Sequence, residues 1–186
     1  DLCMLIDSHC HLQSLDLSPE NDLTGVLQRA ATQGVARILT VSIESTDAPN
    51  LIDFCQRHNG LACSAGHHPC YTDALVDFGQ LEQWAGQPEV VAIGETGLDY
   101  YHRDEMAVRK LQQDLFAAHI DLAHRLGKPL IVHTRSAQED TLAQLKKASN
   151  LAVPGVLHCF TEDLAMAKKA LDLGFYLSFS GIITFK

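Results

Sequence analysis

The chain has 186 residues, of which 46% are hydrophobic and 20% are charged, and its formal net charge is -9 at pH 7. This composition is typical of a globular protein with one substantial core, so we expect a single domain over residues 1–186. No apolar run approaches the roughly 20 residues of a membrane span and no secretory leader pattern is seen, which predicts a cytoplasmic location without a membrane partner. The net charge disfavours an extended polyanion-binding surface, because such surfaces neutralise phosphates with Lys and Arg. It still allows a small phosphate pocket in which bound cations reverse the local potential.

The six cysteines are spaced irregularly, without a C-x-x-C motif. This spacing predicts free thiols rather than a disulfide framework or a zinc ribbon. Cys10 and Cys159 each adjoin a histidine, but strand neighbours point to opposite faces, so we expect these two thiols to face away from the histidines.

Short apolar runs alternate along the chain with stretches of helical periodicity. The runs are nearly continuous in apolar character, as parallel strands buried on both faces are, and they predict seven strands at residues 4–9, 36–43, 61–67, 90–95, 129–134, 155–160 and 175–181. The stretches between them predict six amphipathic helices at residues 20–33, 46–58, 75–86, 103–126, 136–149 and 162–173. Several of these helices end at a glycine, such as Gly127. The alternation predicts an α/β fold with a parallel sheet.

The number and spacing of the strands favour a TIM (β/α)8-type barrel over an open doubly wound sheet. Such a barrel usually takes about 250 residues and closes with eight strands, so seven strands are present here and the eighth is missing. We therefore expect a barrel domain that is incomplete at its C-terminal end and comes from a longer molecule, with the first and seventh strands as unpaired edges. No dinucleotide or P-loop fingerprint follows the first strand, which disfavours nucleotide binding.

Residues that can carry chemistry gather at the carboxyl ends of the predicted strands, where barrel enzymes place their active sites. The first strand ends in His9 and His11, which share a face and lie about 7 Å apart at Cα. Later strands end in His67 and His68, Glu95 and Asp99, His133 and Arg135, and His158. Imidazoles with one carboxylate suit divalent metals such as Zn, Mn or Ni. Glu95 stands centrally and is placed to bridge two ions; a helix cap or an ordinary ion pair is the alternative.

Six motifs, DSHCHL, GHHP, GETGLDYY, VHTR, LHCFTE and GFYLSFSGIITF, resemble in this order those of the TatD family of metal-dependent deoxyribonucleases, which are amidohydrolase-type TIM barrels. The resemblance covers essentially the whole chain. It implies a phosphodiesterase that cleaves DNA by a two-metal mechanism, often as an exonuclease from the 3′ end. The implied cofactors are two divalent ions (Zn, Mn, Mg or Ni), and the implied substrate is single-stranded DNA or DNA ends.

The resemblance also implies roles for individual residues. His9 and His11 would hold the first ion, and His133 and His158 would hold the second. Glu95 would bridge the two ions. His68 matches a family histidine that faces the substrate phosphate, so Glu95 and His68 are the predicted catalytic residues, whereas His67 receives no role and is expected to be packed or exposed. The family's last ligand, an Asp on the eighth strand, has no equivalent in this sequence. We therefore expect a loosely held first ion and low activity from this chain alone.

Other residues near the predicted site keep more than one interpretation. Arg135 shares the inward parity of the fifth strand and could bind a phosphate with its planar fork, but a structural ion pair explains it equally well. Tyr100 and Tyr101 could stack on a base, although packing under the long helix is favoured. Ser178 and Ser180 are interpreted as hydroxyls at the rim of the last strand.

Two other functions compete with the nuclease. The same metal site could hydrolyse an amide or ester bond, as a deacetylase or aminoacyl deacylase, because the fold alone does not fix the substrate. A bridging Lys on the fourth strand would favour that hydrolase, and Glu95 stands there instead. A non-enzymatic metal-binding or scaffold fragment is the third interpretation. We expect the full-length protein to be a monomer.

Overall fold

The computed structural model describes residues 4–18 and 22–185, and its strands form one parallel sheet in which each strand pairs with its neighbour along the chain. The strands are β1 (Leu5–Cys10), β2 (Val35–Thr40), β3 (Leu61–Ala65), β4 (Val90–Asp99), β5 (Leu130–Arg135), β6 (Gly155–Leu157) and β7 (Tyr176–Leu177). The sheet curls into a half-barrel with β1 and β7 at its edges. The predicted TIM-type barrel is confirmed, with seven strands and no eighth among the residues described.

Helices connect the strands, as parallel pairing requires. They are α1 (Leu23–Thr32), α2 (Ala48–Arg57), α3 (Phe78–Ala85), α4 (Met106–Leu126), α5 (Gln138–Ala148) and α6 (Leu164–Asp172). Three of them begin later than predicted because an aspartate caps each one, accepting a hydrogen bond from a backbone N–H three residues on: Asp22, Asp77 and Asp163. Residues 20 and 21 of the predicted first helix lie outside the described residues. Each described helix is too short or too polar to cross a membrane.

Two strands differ from the prediction in a way that matters for the site. β4 continues to Asp99 because its last four residues pair with Val132–Arg135 of β5. β6 stops at Leu157, since the chain turns there and Cys159 adopts a positive φ of 46°. His158 therefore lies on a turn rather than in a strand.

The apolar core separates into two layers on opposite faces of the sheet. The larger layer packs the helices against the outer face, and its fully buried side chains include Leu51, Leu81, Phe116 and Leu130. A smaller cluster of Val41, Ala92 and Ile131 lies on the other face, because Ile131 alternates with its neighbours along β5. His133 follows Ile131 by two residues and shares this inner face. The small cluster thus forms the floor beneath the strand ends.

A glycine allows β4 and β5 to approach closely beside the site. Gly97 has a φ of 136°, a conformation that L side chains rarely adopt, and a Cβ atom there would overlap the carbonyl oxygen of His133. The close approach sets the register in which Gly97 pairs with His133. It thereby brings Glu95, two residues earlier on β4, alongside the His133 side chain.

Candidate metal centre

A cavity of about 460 Å³ opens at the carboxyl ends of the strands. Its walls include most of the predicted site residues: His11, His68, Glu95, His133, Arg135 and His158. The position agrees with the rule that barrel enzymes use this end of the sheet.

Glu95 lies at the centre of the histidine cluster, with only 3% of its surface exposed. Its Oε2 is 3.3 Å from Nε2 of His9 and 3.9 Å from Nε2 of His11. Its Oε1 is 3.5 Å from Nδ1 of His133 and 3.7 Å from Nε2 of His68. The two oxygens of one carboxylate therefore face two different pairs of imidazoles, which is the arrangement expected of a bridging ligand.

The first predicted pair of ligands is assembled in the structure. Nε2 of His9 lies 3.3 Å from Nε2 of His11, and both nitrogens lie close to Oε2 of Glu95. Nδ1–H of His11 donates to the carbonyl of Val41 at 2.9 Å, since a carbonyl can only accept. The neutral His11 ring therefore carries its lone pair on Nε2, which points at the cluster. These three donors fit a divalent ion.

His133 is oriented by a second carboxylate. Its Nε2–H donates to Oδ2 of the fully buried Asp99 at 2.9 Å, so the lone pair of the neutral ring is on Nδ1, which faces Glu95. A carboxylate behind a histidine is a common partner of metal-binding imidazoles. Burial would lower the pKa of His133, but Asp99 and Glu95 together outweigh it and raise the pKa to about 9. A divalent cation and a ring proton are thus alternative ways to balance the charge of Glu95.

His158 lines the same cavity as Glu95 and His133 and interacts electrostatically with both, while its ring packs against His9. Its ring stacks flat on that of His9, with centroids 3.3 Å apart and planes 9° apart. Its Nδ1 is buried without a hydrogen-bond partner. Burial, followed by the charge of His9, lowers its pKa to about 4, so the ring is neutral at pH 7. A buried, neutral, unpartnered imidazole nitrogen fits a metal ligand, and together with the converging nitrogens of His9 and His11 it shows that the residues present suit divalent ions.

His68 lies close to both Glu95 and His133, but its tautomer favours a role other than metal binding. Nδ1 of His68 accepts the backbone N–H of Cys70 at 3.2 Å, so the proton of the neutral ring is on Nε2. Burial, followed by the charge of His133, lowers the pKa of His68 to about 4. His68 therefore presents a neutral N–H to the cavity, which suits a hydrogen-bond donor to substrate better than a metal ligand.

Burial alone would raise the pKa of Glu95. Hydrogen bonds from His133 and His9 and the charge of His68 outweigh this effect and hold the pKa of Glu95 well below its usual value. Glu95 is therefore a carboxylate at neutral pH, the state in which it can bind cations.

The structure shows the contacts of three residues that had more than one interpretation, Arg135, Tyr100 and Tyr101. Arg135 makes no ion pair among the described residues; its guanidinium lies 4.1 Å from the ring centroid of Tyr101, at the wall of the cavity. Tyr100 is packed as expected, with its hydroxyl donating to Asp140 at 2.7 Å. The packing role expected for Tyr101 is wrong, because 63% of its surface is exposed.

Two further residues near the rim have structural contacts. His67 is buried, accepts the backbone N–H of Ser45 on Nδ1 and donates from Nε2 to the carbonyl of Tyr71, so it is a packed histidine. The hydroxyl of Ser178 accepts the backbone N–H of Cys159 at 3.2 Å. Ser180 precedes a 3-10 turn at Gly181–Thr184 without capping it through its side chain.

Sequence comparisons find related proteins over nearly the whole of this chain. The family described as TatD related DNase matches residues 6–186. The metal-dependent hydrolase YcfH of Escherichia coli K12 is 45% identical over 183 residues, which cover 98% of this chain and 68% of YcfH. The metal-dependent hydrolase TatD of Mycobacterium tuberculosis is 36% identical over 98% of this chain and 70% of its own length.

Among solved structures, the TatD homologue YJJV of Escherichia coli K12 superposes with a TM-score of 0.86 at 30% identity, over 100% of this chain and 71% of that chain. A TatD family hydrolase of Entamoeba histolytica shares the fold at a TM-score of 0.79 and 22% identity, over 95% of this chain and 64% of its own. The sequence and structural matches together show that this chain belongs to the TatD family of metal-dependent hydrolases.

Proposed function

We propose that this metal-dependent hydrolase cleaves phosphodiester bonds in DNA with two divalent ions. The observation that carries the proposal is the buried carboxylate of Glu95, whose Oε2 faces His9 and His11 while its Oε1 faces His133 and His68. Two ions held about 3.5 to 4 Å apart can stabilise both the attacking and the leaving oxygen of a displacement, and a carboxylate between two pairs of imidazoles could contact both ions. The family description as a TatD related DNase supports DNA as the substrate.

The residues at the centre of the cavity would bind the two ions. His9, His11 and Oε2 of Glu95 would hold one ion, and Oε1 with Nδ1 of His133 would hold the other. His158, which lines the same cavity and stacks on His9, is a further candidate ligand. When bound, such ions supply Lewis-acid polarisation of a phosphoryl oxygen. When no ion is bound, the raised pKa of His133 keeps a proton on its Nδ1, and an ion that binds there would displace that proton.

His68 and Arg135 are proposed to contact the substrate. His68 presents Nε2–H at the cavity, where it can donate to a phosphate oxygen or to the departing oxygen of the cleaved bond. Arg135 lines the same cavity and has no carboxylate partner among the described residues. Its guanidinium is therefore available to donate hydrogen bonds to a second phosphate oxygen. Tyr101 supports the guanidinium from one face and is exposed on the protein surface.

The proposed substrate is single-stranded DNA or a DNA end rather than long duplex. A net charge of -9 gives little attraction for sliding along a duplex, so cleavage should begin at a terminus. A cytoplasmic location and a monomeric state are further proposals that follow from the sequence.

The test follows cleavage of a 5′-labelled single-stranded oligonucleotide with Mn²⁺ or Zn²⁺ and with the protein in excess over DNA, so that slow turnover is visible. We expect stepwise shortening from the 3′ end, loss of cleavage with a chelator, and loss in the Glu95→Gln variant. Relaxed closed-circular duplex should be a poor substrate. Efficient hydrolysis of an N-acyl amino acid or a carboxylic ester, with no cleavage of DNA, would overturn the nuclease proposal in favour of an amide or ester hydrolase.

A further inference from the structure

A third set of metal-capable side chains lies outside the five predicted ligands. Sγ of Cys70, a carboxylate oxygen of Asp99 and a ring nitrogen of His102 all lie within 4.8 Å of one another. Cys70 is in the loop after β3, Asp99 ends β4, and His102 is in the turn that follows β4. The loop and the strand end therefore bring three different donor types to one point.

Asp99 is the fixed member of this set because it is fully buried and held on both oxygens. Its Oδ1 accepts the backbone N–H groups of Tyr101 and His102, at 3.1 and 2.8 Å. Its Oδ2 accepts Nε2–H of His133 and also lies 2.9 Å from Nδ1 of His102. The contact with His102 is the one that an ion could replace, since the other partners are backbone groups or the inward-facing His133.

His102 is the adjustable member. Half of its side chain is exposed, so the ring can turn without disturbing the core. With its proton on Nε2, the neutral ring would present the Nδ1 lone pair toward Oδ2 of Asp99. An ion could then sit where the Nδ1 proton now lies, with access from solvent past the exposed ring.

Cys70 supplies the third donor and determines which metals are preferred. Burial, followed by the charge of Asp99, raises the pKa of Cys70 to about 12, so the thiol is protonated when no ion is bound. Metal coordination displaces such a proton, and the affinity then increases with pH. A sulfur donor favours zinc-like ions over Mn²⁺ or Mg²⁺, which prefer oxygen.

We propose that Cys70, Asp99 and His102 form a separate site for a zinc-like ion, with three protein ligands and an open fourth position. This donor set resembles that of three-ligand zinc sites. The centre formed by Glu95 and the histidines around it, called the main centre below, offers only nitrogen and oxygen donors. Asp99 connects the two sites, because its Oδ2 also orients His133. An ion bound at Cys70 would share that carboxylate. Excess zinc should therefore lower the affinity of the main centre for its ions, whereas excess manganese should not. The site does not depend on which bond the enzyme cleaves.

Cobalt(II) is the probe that separates this site from the main centre. A thiolate bound to Co²⁺ gives a strong charge-transfer absorption in the near ultraviolet, and imidazole and carboxylate ligands alone do not. When the metal-free protein is titrated with Co²⁺, this band should grow and then reach a plateau. The intensity at the plateau should correspond to one thiolate-bound ion per chain. The Cys70→Ser variant should lose the band, and the matched Cys159→Ser variant should keep it, because Cys159 lines the main cavity but is not part of the cluster.

A second variant covers the case in which Cys70→Ser does not fold. His102→Gln changes a half-exposed side chain on a turn and should weaken the cobalt affinity reported by the band by about tenfold or more. A parent protein that shows no thiolate band at saturating Co²⁺ would overturn the proposal. So would a band that persists in Cys70→Ser, or one whose affinity is unchanged in His102→Gln. Because the readout is spectroscopic, failure of the nuclease proposal would leave this result unaffected.

Discussion

Oδ2 of Asp99 accepts Nε2–H of His133 at 2.9 Å, and this one contact fixes which nitrogen of His133 can bind a metal. The neutral imidazole then has a single lone pair, on Nδ1, and Nδ1 lies 3.5 Å from Oε1 of Glu95. A fully buried carboxylate that does not line the cavity thereby orients a ligand of the proposed second ion.

Replacing Asp99 with Asn should weaken this orientation without removing the side chain's bulk. The amide lacks the negative charge that holds Nε2–H and can present an N–H group instead of an acceptor. We expect the affinity for one of two Mn²⁺ ions to fall by about 10- to 100-fold, measured by calorimetric titration. Mn²⁺ is used because it has little preference for the thiolate of Cys70.

Asp140→Asn is the matched control for this variant. Asp140 accepts hydrogen bonds from Tyr100 and Gln113 away from the main centre, so its replacement should change stability but not Mn²⁺ affinity. Equal Mn²⁺ affinities in the parent protein and Asp99→Asn would show that Asp99 does not position His133.

The close approach of β4 and β5 predicts a large cost for any side chain at Gly97. In Gly97→Ala the new Cβ atom meets the carbonyl oxygen of His133, and the backbone keeps an unfavourable φ. We expect the free energy of unfolding to fall by about 2 to 4 kcal/mol, measured by urea denaturation.

Gly127→Ala separates backbone strain from the steric clash. Gly127 ends α4 with a φ of 62°, and a methyl group at this position would meet only open space, so only the left-handed conformation is penalised, at about 1 kcal/mol. If the two variants lost similar amounts of stability, the close approach at Gly97 would not be a determinant of the fold.

The burial of the His119 side chain leads to a prediction of how the stability of the fold depends on pH. The side chain is fully buried on α4 beside the ring of Phe78, Nδ1–H donates to the carbonyl of Leu115, and Nε2 has no partner. Burial lowers the pKa of His119 to about 4, against the raising effect of the Leu115 carbonyl and with a small further lowering from His67. The unfolded chain therefore binds a proton at a higher pH than the folded chain, so stability is lost as the pH falls from about 6.5 toward 4.

This effect should amount to about 2 kcal/mol between pH 7 and pH 5. Urea denaturation of the parent and of His119→Gln at both pH values isolates it, because other buried histidines contribute equally to both proteins. The parent should lose more stability than the variant. Equal losses in the two proteins would mean that His119 does not titrate in this way.

The sequence was sufficient for the outline of the site because strand ends can be predicted from apolar runs. His9, Glu95 and His133 meet as expected, since parallel strands deliver their carboxyl ends to one rim. Glu95 could be singled out by its central strand and by the motif GETGLDYY in which it stands. His158 lies on a turn rather than in the predicted strand because β6 ends one residue before it, and the turn then directs its ring onto that of His9.

The remaining features depend on contacts that no local pattern records. The link between Asp99 and His133 requires β4 to extend four residues beyond its predicted end and to pair with β5. The tautomer of His68 depends on a backbone N–H within its own loop. Cys70 and His102 were not predicted as ligands, because they follow different strands and meet only through Asp99. Tyr101 was expected to pack under the long helix, but its side chain is exposed beside Arg135.

The central claim is that Glu95 binds two ions at once, and metal content after equilibrium dialysis against Mn²⁺ tests it most directly. We predict two Mn²⁺ per chain for the parent and for Glu139→Gln, which changes an exposed carboxylate on α5. The double variant His133→Ala, His158→Ala should retain one ion, because the ligands of the other ion remain. Glu95→Gln should bind fewer than one ion per chain, since both sites lose an anionic ligand. Two ions per chain in Glu95→Gln, with affinities like those of the parent, would contradict the account.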